Sequence, residues 1–159
     1  MKIMQALLVG TLVVFGAGTL AVAADMPEGA VGTWTLNLAK SKFGSAPAPK
    51  SQTRTYAQTA QGIALTIKGV AADGSPISQQ STFKYDGKDY PFSGSSSYDT
   101  ISLTRVDANT VKSTVKKAGK DMGKTTRTLS ADGKVLTVAT KGKDDKGAAY
   151  EDVSVYDRQ

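Results

Sequence analysis

A chain of 159 residues with neither histidine nor cysteine excludes several chemistries at once. It has no Ser-His-Asp or Cys-His nucleophilic site, few routes to a zinc site, and no cysteine for a disulfide or a lipid anchor. Its net charge is +6, and the excess is local, because Arg105, Lys112, Lys116, Lys117, Lys120, Lys124 and Arg127 share one stretch with only Asp107 and Asp121.

Residues 1–24, "MKIMQALLVGTLVVFGAGTLAVAA", carry one charge, Lys2, followed by an apolar run that ends in small residues. That layout predicts a secretory signal peptide cut after Ala23 or Ala24. An uncleaved anchor is the rival reading, since residues 3–24 are long enough to span a bilayer. The expectation is an exported protein, periplasmic or secreted, whose mature part, 25–159, is one domain large enough to fold without disulfides.

Twelve of the fourteen acidic residues are Asp, a residue of turns and caps more than of helices. No segment sustains a 3.6-residue apolar period. In "TWTLNL" the residues Trp34, Leu36 and Leu38 alternate with Thr33, Thr35 and Asn37. Ile63, Leu65 and Ile67 repeat the pattern, as do Ile101 with Leu103 and Leu136 with Val138. Period two marks half-buried antiparallel strands. Ten are predicted, over 31–38, 51–58, 61–70, 77–85, 88–93, 98–105, 109–118, 122–130, 133–141 and 148–157. Asp73-Gly74, Asp86-Gly87 and Asp132-Gly133 read as hairpin turns that need positive φ, and 107–109 and 118–124 as further connections. The proline-containing stretch 39–50 is the one longer break.

Short strands joined by tight turns predict an up-and-down barrel of eight to ten strands, closed to avoid exposed edges. A two-layer sandwich is the alternative. Pro91, in "KDYPFSG", lacks the N–H a central strand would use. It predicts a gap or bulge between the strands around Asp86-Gly87, or merely the end of a short strand.

"GTWTLNLAKSKF" resembles the Gly-x-Trp opening strand of lipocalins and fatty-acid-binding proteins, the calycin barrels. "STFKYDGKDY" (81–90), "TTRTLSADGKVLTV" (125–138) and "VSVYDRQ" (153–159) are similar to later strands of the fatty-acid-binding branch, and the whole resembles small exported bacterial lipocalin-like proteins. The resemblance implies that Trp34 plugs one end of the barrel with Arg158 packed on its ring. It also implies an interior carboxylate clamp, with Arg127 and Tyr156 at two of its positions. Ser154 stands where that branch has a second arginine, and the helical lid of the branch is missing.

The expected function is non-enzymatic binding of a small hydrophobic or amphipathic ligand inside the barrel. Arg127, Tyr156 and Ser154 would hold the polar head, and Phe83, Tyr85, Leu65, Leu103 and Leu136 would line the pocket. Whether the interior is hollow or filled stays open, because strand parity cannot be followed through bulges. The alternative is a solid-core envelope or protein-interaction module acting through the 105–127 hairpin. There Lys112, Lys116, Lys117, Lys120 and Lys124 would face an anionic membrane surface or acidic polymer. Asp144-Asp145 and Glu151-Asp152 read as solvated turn charge. No cofactor, metal or nucleic-acid partner is expected, the last because the basic stretch lacks interleaved aromatics for stacking bases. A monomer is expected.

Overall fold

The computed structural model describes residues 28–44, 47–143 and 146–159. The predicted leader, its cleavage site and the Asp144-Asp145 pair lie outside these residues. Ten strands appear among them: β1 Gly32–Leu36, β2 Ser51–Thr59, β3 Gly62–Val70, β4 Pro76–Phe83, β5 Asp86–Pro91, β6 Thr100–Arg105, β7 Thr110–Lys117, β8 Lys120–Leu129, β9 Val135–Lys143 and β10 Ala149–Arg158. All pair antiparallel with sequence neighbours, and β1 pairs with β10, so the meander curls round until its ends, β4 and β5, meet. The result is a nearly closed up-and-down barrel in one continuous sheet, compatible with a calycin-like fold; the sandwich alternative does not arise.

Closure fails where Pro91 predicts it. No ladder joins β4 to β5; an isolated bridge links Gln80 of β4 to Ser93, two residues past β5, in which Gln80 N donates to Ser93 O at 3.1 Å and Ser93 N returns to Gln80 O at 3.0 Å. The Ser81 hydroxyl adds a bond to the Pro91 carbonyl at 2.8 Å. Pro91 also ends β5, so both readings of that residue describe one junction. Gly94 sits so close that a Cβ there would lie 1.9 Å from the Ser78 carbonyl oxygen; only glycine fits this part of the seam.

Period-two alternation sets which side chains enter the barrel. Ile63, Leu65 and Ile67, then Ile101 and Leu103, Val111 and Val115, and Leu136 and Val138 are all buried. Leu38 departs from its predicted inward place and is exposed, because β1 stops at Leu36 and the chain enters a 3-10 turn at Leu38–Lys40. Asn37 directs that exit: its Oδ1 accepts from Lys40 N at 3.1 Å while its Nδ2 donates to Asp157 at 2.6 Å. The following stretch then runs beside β10, with Lys42 and Val153 exchanging backbone bonds of 2.7 Å.

Two predicted turns shift. Asp86-Gly87 is not the tip of the β4–β5 hairpin but the start of β5, where the register with β6 slips between Asp86 and Asp89. The positive φ that Gly87 was expected to need is absorbed by that bulge instead. Between β7 and β8 the turn occupies only Ala118 and Gly119, both at positive φ, as a two-residue type I′ connection requires. The rest of 118–124 is already strand.

Candidate functional site

One end of the barrel is a sealed floor. Trp34 is fully buried and its Nε1 donates to the Ala30 carbonyl at 2.7 Å. The Arg158 guanidinium lies 4.2 Å from the indole centroid and donates to three carbonyls, those of Gly133, Val31 and Gly29, at 2.7, 2.9 and 2.7 Å. Gly32 of the Gly-x-Trp motif has φ 135°, and a Cβ there would come within 2.9 Å of Arg158. The motif is thus a steric requirement for stacking the arginine on the indole.

Beside this floor a carboxylate of the chain itself meets Arg127, one member of the clamp that the resemblance implies. Glu28 turns inward between Arg127 and Arg105. Arg127 Nη2 lies 3.0 Å from both its oxygens and Arg105 Nη2 lies 2.9 Å from Oε2. The Tyr85 hydroxyl donates to the same Oε2, and Ala30 N donates to Oε1 at 2.8 Å. The three charged side chains are at least nine-tenths buried. Burial opposes the Glu28 charge, but Arg127 and the hydrogen bonds from Tyr85 and Ala30 outweigh it and hold the pKa below the usual 4.5. Burial raises the Tyr85 phenol, and the neighbouring Glu28 raises it further against the pull of Arg127; it therefore stays a donor.

Next to this network, and sharing Arg127 with it, lies a partly open cavity of about 180 Å³. It exists because four neighbouring inward positions carry small side chains, Ser113, Thr125, Thr140 and Ser154. Among the residues expected around a ligand, Arg127, Ser154, Phe83, Leu65 and Leu103 line it. Tyr85 does not: it belongs to the Glu28 network, because the β4–β5 connection swings its ring under Phe83 at 5.8 Å. Leu136 is fully buried but lies outside the cavity wall. Tyr156 is also buried behind the wall, where its hydroxyl accepts from Arg54 Nε at 3.0 Å and donates to Gln52 Oε1.

Arg54, from β2, was absent from the sequence reading, as were Glu28 and Arg105 as interior groups. Arg54 reaches the cavity with its guanidinium carbon 5.1 Å from the Tyr156 ring. The interior therefore has a second lining arginine despite Ser154, supplied by a strand that the resemblance does not point to. Between Arg54 and Arg127 lies Tyr56, whose ring centroid is 4.9 Å from the Arg127 guanidinium. Burial would raise the Tyr56 phenol, but the two guanidiniums prevail and lower it. Arg127 Nη1 is buried with no hydrogen-bond partner among the described residues.

The basic hairpin is smaller than its sequence suggests. Arg105 and Arg127 point into the barrel and are buried, because they fall on the inward parity of β6 and β8. What faces solvent is Lys112, Lys117, Lys120 and Lys124, with half-buried Lys116 paired to Asp89 at 2.9 Å. Lys117 stands directly opposite Lys120, and Lys124 opposite Lys141.

No protein-family model matches the chain, and no curated protein matches it either. The class is therefore defined by architecture, a ten-stranded, nearly closed antiparallel barrel with a plugged floor and a small interior cavity.

Proposed function

We propose that the protein is an exported, non-enzymatic binding protein that takes a small hydrophobic or amphipathic molecule into its barrel. The observation that carries this reading is the interior cavity, partly open to solvent, whose wall is part apolar and part polar, with guanidinium, hydroxyl and phenol groups on it. Drug-sized pockets run from about 300 to 1,000 Å³, whereas an apolar cavity of about 150 Å³ accommodates benzene. At about 180 Å³ the interior suits a single ring or a short chain, not an extended fatty acid. The lack of histidine and cysteine and the leader-like N-terminus support the non-enzymatic and exported parts of the reading.

Toluene tests the cavity directly. Titrated into the protein, it should shift the methyl resonances of Leu65, Leu103 and Val115 while leaving exterior methyls unmoved. Shifts confined to the exterior would overturn the reading. Native mass spectrometry of protein taken from its own exported compartment should then show a co-purifying small molecule. A second reading, docking of the β7–β8 lysines to an anionic surface, is favoured by one specific observation. Like charges held directly opposite in a ladder cost stability, and this hairpin retains one such pair within itself, Lys117 with Lys120, and a second with β9, Lys124 with Lys141.

A further inference from the structure

The outer face of β6–β9 carries a pattern that interior binding does not use. Strand alternation turns every second side chain away from the barrel. In ladder register the outward residues form two adjacent rows, Thr104–Lys112–Thr126–Ala139 and Ser102–Thr114–Lys124–Lys141. Neither row contains a carboxylate or an aromatic ring on these four strands. The first carboxylate comes on β10, where Glu151 pairs with Lys141 at 3.2 Å, an exposed contact that is cheap to exchange. Lys112 and Lys124 make no ion pair among the described residues, whereas Lys40 and Lys116 elsewhere on the surface are matched by Asp157 and Asp89.

Two surface depressions, of about 420 and 500 Å³, lie along these rows and share Lys124 and Thr126. Together they form one trough from β6 to β10, with small residues, Ala139, Gly142 and Ala149, in its β9–β10 part and Asp121 as its one lining carboxylate. Four strand spacings of about 4.8 Å give it a length of about 19 Å. A linear polyanion lies along such a trough, whereas a flat bilayer surface bridges its rims. Lysine ammoniums are point charges that do not by themselves separate carboxylate from phosphate. The hydroxyls do separate the partners. A serine or threonine hydroxyl both donates and accepts, which matches the hydroxyls of a sugar, while a polyphosphate chain offers acceptors alone.

We propose that this trough binds a short stretch of an acidic polysaccharide. Its carboxylates meet Lys112, Lys124 and Lys141, and its hydroxyls meet Thr104, Thr114 and Thr126. This rests on the reading that the outer lysines dock an anionic partner and names that partner; it does not need the interior cavity.

Tetragalacturonate, neutral maltotetraose and inorganic polyphosphate test the trough together, with the methyl resonances of Thr104 and Ala139 as the readout. At low salt tetragalacturonate should bind more tightly than polyphosphate, maltotetraose should not bind, and added salt should weaken the tetragalacturonate complex. Lys112→Gln combined with Lys124→Gln should weaken tetragalacturonate about tenfold; Lys124→Gln alone serves if the pair does not fold. Thr114→Val combined with Thr126→Val, which keeps the β-branched shape, should weaken tetragalacturonate about threefold or more and leave polyphosphate unchanged. Polyphosphate binding as tightly as tetragalacturonate would overturn the polysaccharide assignment while leaving a basic docking face. Flotation with phosphatidylglycerol vesicles in the absence of any tetragalacturonate binding would also overturn it and give the face to a membrane. Tetragalacturonate binding that survives the lysine substitutions would overturn the assignment to these rows. If neither polyanion nor vesicles bind, the docking reading falls and the trough falls with it.

Discussion

The barrel holds two arginine networks that differ in one respect, the presence of a carboxylate. Around Glu28, two guanidiniums share one buried anion, a phenol and a backbone N–H. Around Arg54, a guanidinium faces only phenols and an amide. The first network lies beside the Trp34–Arg158 stack and ties the segment before β1 to β6 and β8, so it is part of the closure of the floor. The second borders the cavity, whose wall also carries Asp152, and Arg54 makes no ion pair among the described residues. A buried charge with its partner in place fixes structure, whereas a half-buried one with neutral partners contributes little to it. A buried arginine's role is therefore read from its partners more reliably than from its place on a strand.

Breaking the paired network has the largest expected effect. Glu28→Gln keeps the shape of the side chain but leaves Arg105 and Arg127 buried without a counter-charge, which should cost about 3–5 kcal/mol. Urea unfolding checks it, and a loss under about 1 kcal/mol would mean that the network does not hold the floor. Tyr85→Phe removes one donor to Glu28 and one acceptor for Arg127 at 3.2 Å and should cost about 1–2 kcal/mol.

Acid titration probes the same group without mutation. The folded pKa of Glu28 lies below its unfolded value near 4.5. Its contribution is therefore complete above that pH and is lost as the pH falls through the lower folded value. Several surface aspartates with lowered pKa lose stability in the same acid range. The informative quantity is thus the difference between wild type and Glu28→Gln, which should shrink as the pH falls below about 4.5. A difference that does not depend on pH would mean that the Glu28 carboxylate is not held ionised by the network.

The contrast also shows which parts of the molecule are legible in the sequence. Strand number, meander order and the β4–β5 gap follow from local signals, period-two alternation, turn residues and one proline, while the tryptophan plug is implied only by the resemblance of the Gly-x-Trp strand. Glu28 follows from neither, because a lone glutamate just before the first strand has no local pattern that turns it inward. Its only mark is its type, one of two glutamates among fourteen acidic residues. Arg54 is hidden for a different reason. "SQTRTYAQT" alternates polar with polar, so hydrophobic periodicity cannot say which face enters the barrel; the pairing of Tyr56 with Leu65 decides it. Leu38 fails in the opposite direction, since an apolar side chain on the right parity is carried outside when Asn37 ends the strand. Interior polar groups are the part that tertiary register decides.

Breaking the unpaired network should barely move stability. Arg54→Gln loses the bond to Tyr156 but also removes a half-buried charge that makes no ion pair among the described residues. The two effects oppose each other, and unfolding should change by less than about 1 kcal/mol. A loss as large as that of Glu28→Gln would erase the distinction between the two networks and make Arg54 a structural residue.

The smallest stability effect belongs to the outer face of the β7–β8 hairpin, and its test sharpens where binding resides. Reversing Lys116, Lys117, Lys120 and Lys124 to Glu removes one exposed pair, Lys116 with Asp89, worth at most about 1 kcal/mol. The Lys117–Lys120 repulsion is replaced by an equivalent one, while a glutamate at 124 would face Lys141 across the ladder and gain a favourable pair. The net change in unfolding should stay within about 1 kcal/mol. Toluene binding inside the barrel should be untouched, because none of the four lines the cavity. Flotation with phosphatidylglycerol vesicles at low salt separates the two proposed activities. If the lysines dock the protein to an anionic surface, wild type should float with the vesicles, the reversed variant should not, and added salt should weaken the wild type because exposed charges are screened. Equal flotation of both proteins would remove the hairpin as a docking surface for membranes and leave the interior and the outer trough as the places where this barrel binds.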